Sequence, residues 1–187
     1  MIWRKAMRMT GGCRSLPHER AVILSANELT ALAAKAARGA GAPPQQATAF
    51  GSAALCHFQA GRAPQHLRAA LEALPAGPII AVPVALIRVI EAAKDTVAEG
   101  LLRVDCPSEL LHSYLEAQPF DVSITPTPDG IMVTCKLDTP AHRKQASRVT
   151  LPGGLAQQMT TLAANLLVPD TAASRESGAG AGLTDND

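Results

Sequence analysis

The residues that most directly suggest chemistry are Cys56 and His57, because a thiol and an imidazole can serve as nucleophile and general base. That chemistry requires the imidazole to hydrogen-bond the thiol and take up its proton. Both residues lie in a segment of helical spacing, in which neighbouring side chains point about 100° apart. We therefore expect no activated pair and interpret Cys56 as packed and His57 as lying at the rim of the helix. Each could still find a partner from elsewhere in the fold.

The spacing of the other candidate ligands predicts no metal site and no bound cofactor. The four cysteines, at positions 13, 56, 106 and 135, form no C-x-x-C motif, and His66, His112 and His142 form no H-x-x-x-H pair. The acidic end at residues 185–187 lacks the remaining oxygens of a calcium loop. The glycine run at residues 178–182 lacks the strand before it and the helix after it that a dinucleotide loop needs.

Two groups of basic residues are candidates for binding a small anion. Lys35 and Arg38 form one group, and Arg143, Lys144 and Arg148, beside His142, form the other. Their cationic side chains could hold a phosphate or a carboxylate, although exposed charges near a strand would give the same pattern. Glu109 and Glu116 are interpreted as ordinary charges on the face of a helix.

Composition excludes several function classes. Of the 187 residues, 47% are hydrophobic and 18% charged, which predicts a folded core. Only 3% are aromatic, which argues against a base-stacking surface, and the formal net charge of +1 gives no electrostatic sign of nucleic-acid or membrane binding. The longest apolar run, residues 79–87, is too short to span a bilayer. Without paired cysteine motifs or an apolar signal segment, a cytoplasmic location is the default prediction.

Periodicity predicts an α+β fold whose N-terminal part is helical. Ser25 and Glu28 form a capping box that begins the first helix. Pro43 and Pro44 begin a second helix that ends near Gly61, and the two helices are expected to form a hairpin with glycine and alanine at their contact. Pro64 begins a third helix. Residues 79–82 are interpreted as a buried connector, with helix and strand both open, that enters a helix over residues 83–94.

The C-terminal part is predicted to contain a small antiparallel sheet. Residues 101–104 are expected to form a short strand and residues 109–117 a helix. The period then changes to two, which predicts a β-hairpin over residues 120–137 with a loop at residues 126–130. Residues 147–151 are expected to add a strand, and a last amphipathic helix is expected around residues 155–166.

Three regions are predicted along the chain. Residues 1–21 carry five basic residues against one acidic residue and are expected to be a disordered basic extension. Residues 22–169 are expected to form a single α+β domain. Residues 170–187 are expected to be a flexible tail, rich in glycine and alanine and acidic at its end, because they cannot bury enough apolar area to offset ordering several glycines.

Short motifs at both ends resemble a bacterial family of uncharacterised proteins, a domain of unknown function. They are LSANEL at residues 24–29, KAARGAG at 35–41, VP at 168–169, SR at 174–175 and GAGAGLTDND at 178–187. The resemblance implies no known activity. Members of that family often carry a tryptophan in the second helix, where this chain has Phe50 and Phe58.

The leading functional hypothesis is a non-catalytic accessory or interaction protein whose tail docks into a protein partner or a neighbouring subunit. The tail residues expected to make this contact are Ser174, Arg175, Gly178, Gly180, Gly182, Leu183, Asp185 and Asp187. The alternative is a small enzyme or enzyme subunit acting on a carboxylate-bearing metabolite, with the tail as a lid over a pocket lined by the basic residues. A third hypothesis is a body that merely dimerises and a tail that aids solubility.

Overall fold

The computed structural model describes residues 20–142 and 148–167, which form an α+β fold, as predicted. Its elements in chain order are β1 (Val22–Ser25), α1 (Ala26–Gly39), α2 (Pro44–Gln59), α3 (Gln65–Glu72), α4 (Pro78–Glu91), β2 (Val97–Leu102), α5 (Ser108–Glu116), β3 (Phe120–Thr127), β4 (Gly130–Pro140), β5 (Arg148–Leu151) and α6 (Gly153–Ala164). Most of the predicted extension at residues 1–21 and the whole tail at 170–187 lie outside these ranges. Among the helices described, none has both the length and the apolar character needed to cross a bilayer.

Helix α1 begins where the capping box predicts. The Ser25 Oγ accepts a hydrogen bond from the Glu28 backbone N–H at 3.3 Å, and the Glu28 carboxylate accepts one from the Ser25 N–H at 2.7 Å. These two bonds satisfy backbone donors that the first turn would otherwise leave unpaired. The Ser25 backbone N–H, and to a smaller extent the Ser25 hydroxyl, lower the pKa of Glu28, because hydrogen bonds to the carboxylate stabilise its ionised form.

Helices α1 and α2 form the predicted hairpin and pack closely at a glycine. A Cβ atom placed on Gly51 would lie 2.6 Å from the Thr30 carbonyl oxygen, so no larger residue fits without separating the helices. Helix α6 packs on the other side of α1, and α5 packs on α2. The core between them is built mainly from buried alanine and leucine, as the composition indicates.

Two antiparallel sheets complete the fold. One has the order β2-β4-β3, and the other pairs β1 with β5, so that Val22 lies opposite Leu151. The predicted hairpin over residues 120–137 is confirmed, but its loop is shorter than expected. Thr127 pairs with Gly130, which leaves two residues in the turn, because the strands continue pairing through Pro126.

The structure differs from the sequence predictions at three elements. Helix α4 begins at Pro78 rather than after a connector, because proline suits the first turn of a helix, and Pro83 lies within it. Strand β2 covers Val97–Leu102 rather than residues 101–104, because its bounds follow its pairing with β4. Strand β1 was not predicted at all, since its pairing depends on β5, more than 120 residues away in sequence.

Candidate functional site

A cluster of polar and ionisable side chains joins α2, the connection from α2 to α3, and α5. Helix α2 ends at Gln59, and Gly61 adopts φ +68°, a left-handed conformation that glycine allows at low cost. The Arg62 N–H then donates to the His57 carbonyl at 3.0 Å, so the chain turns back on the end of the helix. This turn places Arg62, Ala63 and His66 against α5.

His57 lies at the centre of the cluster, and its side chain is completely buried. Its Nδ1 lies 2.8 Å from the Ser113 Oγ, and its Nε2 lies 2.9 Å from the Ala63 carbonyl oxygen. Burial lowers the pKa of His57, because removing an imidazolium from water costs free energy, although the Ala63 carbonyl opposes this effect. The ring is therefore held from both sides, as a buried polar group must be.

Arg62 and Glu116 form the charged edge of the cluster. The guanidinium donates through two nitrogens to the two carboxylate oxygens of Glu116, and one of its nitrogens also donates to the Ser113 Oγ at 3.0 Å. This bidentate pairing raises the pKa of Arg62. Glu116 on α5 is thus the ion-pair partner of a residue in the connection from α2 to α3, which its interpretation as an ordinary helix-face charge did not include.

Glu109 performs a similar role one turn before Ser113. Its Oε2 accepts a hydrogen bond from the Ala63 N–H at 3.2 Å and lies 3.1 Å from the His66 Nδ1. The rings of His57 and His66 are also neighbours, with centroids 5.9 Å apart and planes nearly perpendicular. Glu109 is an exposed charge on the face of α5, as predicted, but it also contacts Ala63 and His66, which the sequence did not indicate.

A cleft opens beside the cluster. It has a volume of about 510 Å³ and is lined by Thr30, Ser52, Leu55, Cys56, Gln59, Ala60, Glu116, Ala117 and His142. A second cleft of about 290 Å³ shares Glu116 and His142 with it. The side chains that face the larger cleft offer thiol, hydroxyl, amide, imidazole and carboxylate groups.

The structure differs from the sequence prediction for Cys56 and His57 in one respect. His57 is fully buried rather than at the rim, because the inward stripe of α2 runs through Ala47, Phe50 and Ala54 and continues to position 57. Both nitrogens of its ring face groups other than the thiol, namely Ser113 and Ala63. Cys56 is half-buried and lines the larger cleft.

The predicted anion-binding residues do not meet at one described surface. Lys35 and Arg38 are exposed on α1, whereas Arg148 lies opposite Ser25, just before that helix begins. A helix rises about 1.5 Å per residue, so Arg38 lies about 20 Å along α1 from Ser25. Arg143 and Lys144 lie outside the described residues, and so do all eight predicted partner-binding residues of the tail. Both site predictions therefore stay predictions.

The cluster of His57, His66 and Glu109 was missed from the sequence. The two histidines are nine residues apart and Glu109 follows 43 residues later, a spacing that matches no ligand motif. The helical stripe of α2 was the one available signal, because it places His57 among the core residues. Comparison of the chain with protein-family models, curated proteins and solved structures found no match.

Proposed function

We propose that this chain is a non-catalytic accessory or interaction protein whose C-terminal tail, residues 170–187, docks into a protein partner or a neighbouring subunit. The observation that carries the proposal is the apolar surface where the described chain ends. Leu166 is 40% exposed and Leu167 is 74% exposed, two residues before the tail. Apolar side chains exposed beside a chain segment that cannot form its own core favour burial against another molecule.

The composition of the tail supports the same function. Gly178, Gly180 and Gly182 give a narrow backbone that fits a confined groove, and Leu183 supplies one apolar side chain. Asp185 and Asp187 add negative charge that a basic partner surface would attract. Leu166 and Leu167 would extend the contact to the body of the protein.

The polar cluster also supports a non-catalytic body. The groups that would be most useful in catalysis, His57 and Ser113, contact each other and backbone carbonyls in the interior. Arg62 is paired with Glu116. These contacts connect α2 to α5 and stabilise the fold that presents the chain end.

The test compares the full chain with a variant that ends at Arg175. A third protein carries residues 176–187 in scrambled order, as a control for length, charge and composition. We expect all three to unfold at the same temperature, and only the native tail to give a defined complex or oligomer in light scattering and affinity purification from the native host. Identical partners and oligomeric state for all three proteins would refute the proposal.

A second candidate function is favoured by the larger cleft: a small enzyme or enzyme subunit acting on a carboxylate-bearing metabolite, with the tail as a lid. The described residues that line the cleft include no lysine or arginine. This alternative is therefore supported by the presence of a cleft and not by positive charge within it. Thermal unfolding against a panel of small carboxylates and nicotinamide cofactors tests it, because a ligand that binds the folded state raises the unfolding temperature. No shift across the panel would count against the enzyme.

A further inference from the structure

We propose that His57, His66 and Glu109 form a binding site for a divalent transition-metal ion of the zinc class. One ligand atom from each residue lies within 4.8 Å of the others. Two imidazole nitrogens and one carboxylate oxygen are a donor set that Zn²⁺ accepts, with its fourth position open to water. This site goes beyond the interaction function proposed above, and it replaces the expectation of no metal that ligand spacing alone produced.

The contact between His66 and Glu109 has the spacing of two ligands around one ion. The His66 Nδ1 is buried and lies 3.1 Å from the Glu109 Oε2, but the two atoms are too poorly aligned for a hydrogen bond. Ligand atoms bonded to a tetrahedral Zn²⁺ at about 2.0–2.2 Å lie about 3.3–3.6 Å from each other and point at the ion rather than at one another. A shared cation therefore accounts for both the short distance and the poor alignment.

The second nitrogen of His57 has the partner that a metal-bound imidazole needs. Metal-ligating histidines usually donate their other ring N–H to an oxygen, which fixes the orientation of the ring. Here the Nδ1–H can donate to the Ser113 Oγ at 2.8 Å, and the Ser113 hydroxyl donates in turn to the Glu109 carbonyl at 2.7 Å. This chain of bonds leaves a lone pair on Nε2 as the ligand.

The position of one proton decides which tautomer of His57 can bind a cation at Nε2. The Ser113 hydroxyl has one proton, and both the Glu109 carbonyl and the His57 Nδ1 lie within its reach. If Ser113 serves the carbonyl, Nδ1 must carry a proton, and a neutral ring then turns the Nε2 lone pair toward the Ala63 carbonyl at 2.9 Å. If Ser113 donates to Nδ1 instead, the Nε2–H donates to the Ala63 carbonyl and both ring nitrogens are paired without a metal. Metal binding therefore selects the tautomer protonated at Nδ1 and replaces the contact of Nε2 with Ala63.

Charge and access are compatible with a bound ion. Arg62 is the cationic side chain that contacts this network, and its charge is balanced by the bidentate pair with Glu116. The Glu109 carboxylate supplies negative charge, and the Ala63 N–H holds it in place at 3.2 Å. The side chains of His66 and Glu109 are 26% and 46% exposed, so the cluster borders solvent although the His66 Nδ1 itself is buried.

The experiment uses the full chain, free of any histidine tag and stripped with a chelator. Zn²⁺ binding is measured by calorimetry, and Co²⁺ is used as a spectroscopic probe because a tetrahedral site gives intense visible absorption. We expect one ion per chain. We expect H66A and E109Q each to weaken binding by more than tenfold, and S113A to weaken it by about tenfold through loss of the bond that orients His57.

The controls are H112A and H142A, which remove histidines outside the cluster and should leave the affinity unchanged. H66Q is prepared beside H66A, and every variant is checked without metal for a cooperative unfolding transition above the temperature of the binding assay, so that a loss of binding is not a loss of folding. The proposal is overturned if the native chain binds no Zn²⁺ at millimolar concentration. It is also overturned if E109Q and both His66 variants retain full affinity, or if H112A or H142A loses affinity equally.

Discussion

Replacing Ser113 with alanine tests how much the polar cluster stabilises the fold. The hydroxyl contacts three groups: the His57 Nδ1 at 2.8 Å, the Arg62 guanidinium at 3.0 Å and the Glu109 carbonyl at 2.7 Å. Alanine removes all three contacts and adds none. Because Ser113 and His57 are both completely buried, water cannot easily replace the lost partner of the ring.

The expected loss of stability follows from these contacts. A buried polar atom left without a partner costs about 1–3 kcal/mol, and the lost hydrogen bond itself contributes about 1 kcal/mol. Arg62 keeps its pairing with Glu116, so the loss of its hydrogen bond to Ser113 costs little stability. Alanine also favours a helix over serine by about 0.5 kcal/mol, which offsets part of the cost. We therefore expect S113A to lower the free energy of unfolding by about 2 kcal/mol, or the unfolding temperature by about 4–8 °C.

The assay is urea unfolding at neutral pH in the presence of a chelator, followed by circular dichroism, so that metal binding does not contribute. T160A is the matched control, because the Thr160 hydroxyl also donates to the carbonyl four residues earlier, at 2.8 Å, but on the exposed side of α6. We expect T160A to change stability by less than about 0.5 kcal/mol. A value for S113A as small as that of T160A would show that the cluster does not depend on the hydroxyl.

Two further predictions concern the helix contact and a half-buried thiol. G51A should destabilise the protein by about 1–3 kcal/mol despite alanine's better helix propensity, because its Cβ would lie 2.6 Å from the Thr30 carbonyl oxygen. The control is Q45A, at an exposed position on the same helix. Equal stability of the two variants in urea unfolding would contradict the prediction. Burial, with a smaller effect of Asp105, raises the pKa of Cys106 from 9.0 to about 11. The alkylation of Cys106 by iodoacetamide at pH 8 should therefore be about 100-fold slower in the folded than in the unfolded chain, as measured by mass spectrometry of its peptide. Comparable rates in the two states would contradict a raised pKa of this thiol.

The sequence predicted those parts of the fold that depend on local interactions. The capping box of Ser25 and Glu28 begins α1 because both partners are three residues apart and need no other part of the chain. The alternation in residues 120–137 identified β3 and β4 for the same reason, since a hairpin pairs neighbouring segments. Glycine and alanine indicated the close packing of α1 on α2, which Gly51 confirms.

The elements and contacts that were missed depend on residues far apart in the chain. Strand β1 exists because Val22 and Leu151 pair across the whole domain, and β2 has the bounds that its alignment with β4 allows. The candidate metal site is of the same kind. His57 is contributed by the end of α2, His66 by α3 and Glu109 by α5.

Sequence alone thus determined where most helices begin, where the hairpin forms and that small side chains build the core, because capping, turns and hydrophobic periodicity act over a few residues. Only the tertiary structure decided that His57 is buried and faces Ser113, and that Glu109 and Glu116 contact the connection between α2 and α3. The helical repeat determines the direction in which a side chain points, but the group that it contacts depends on how another helix packs against that face.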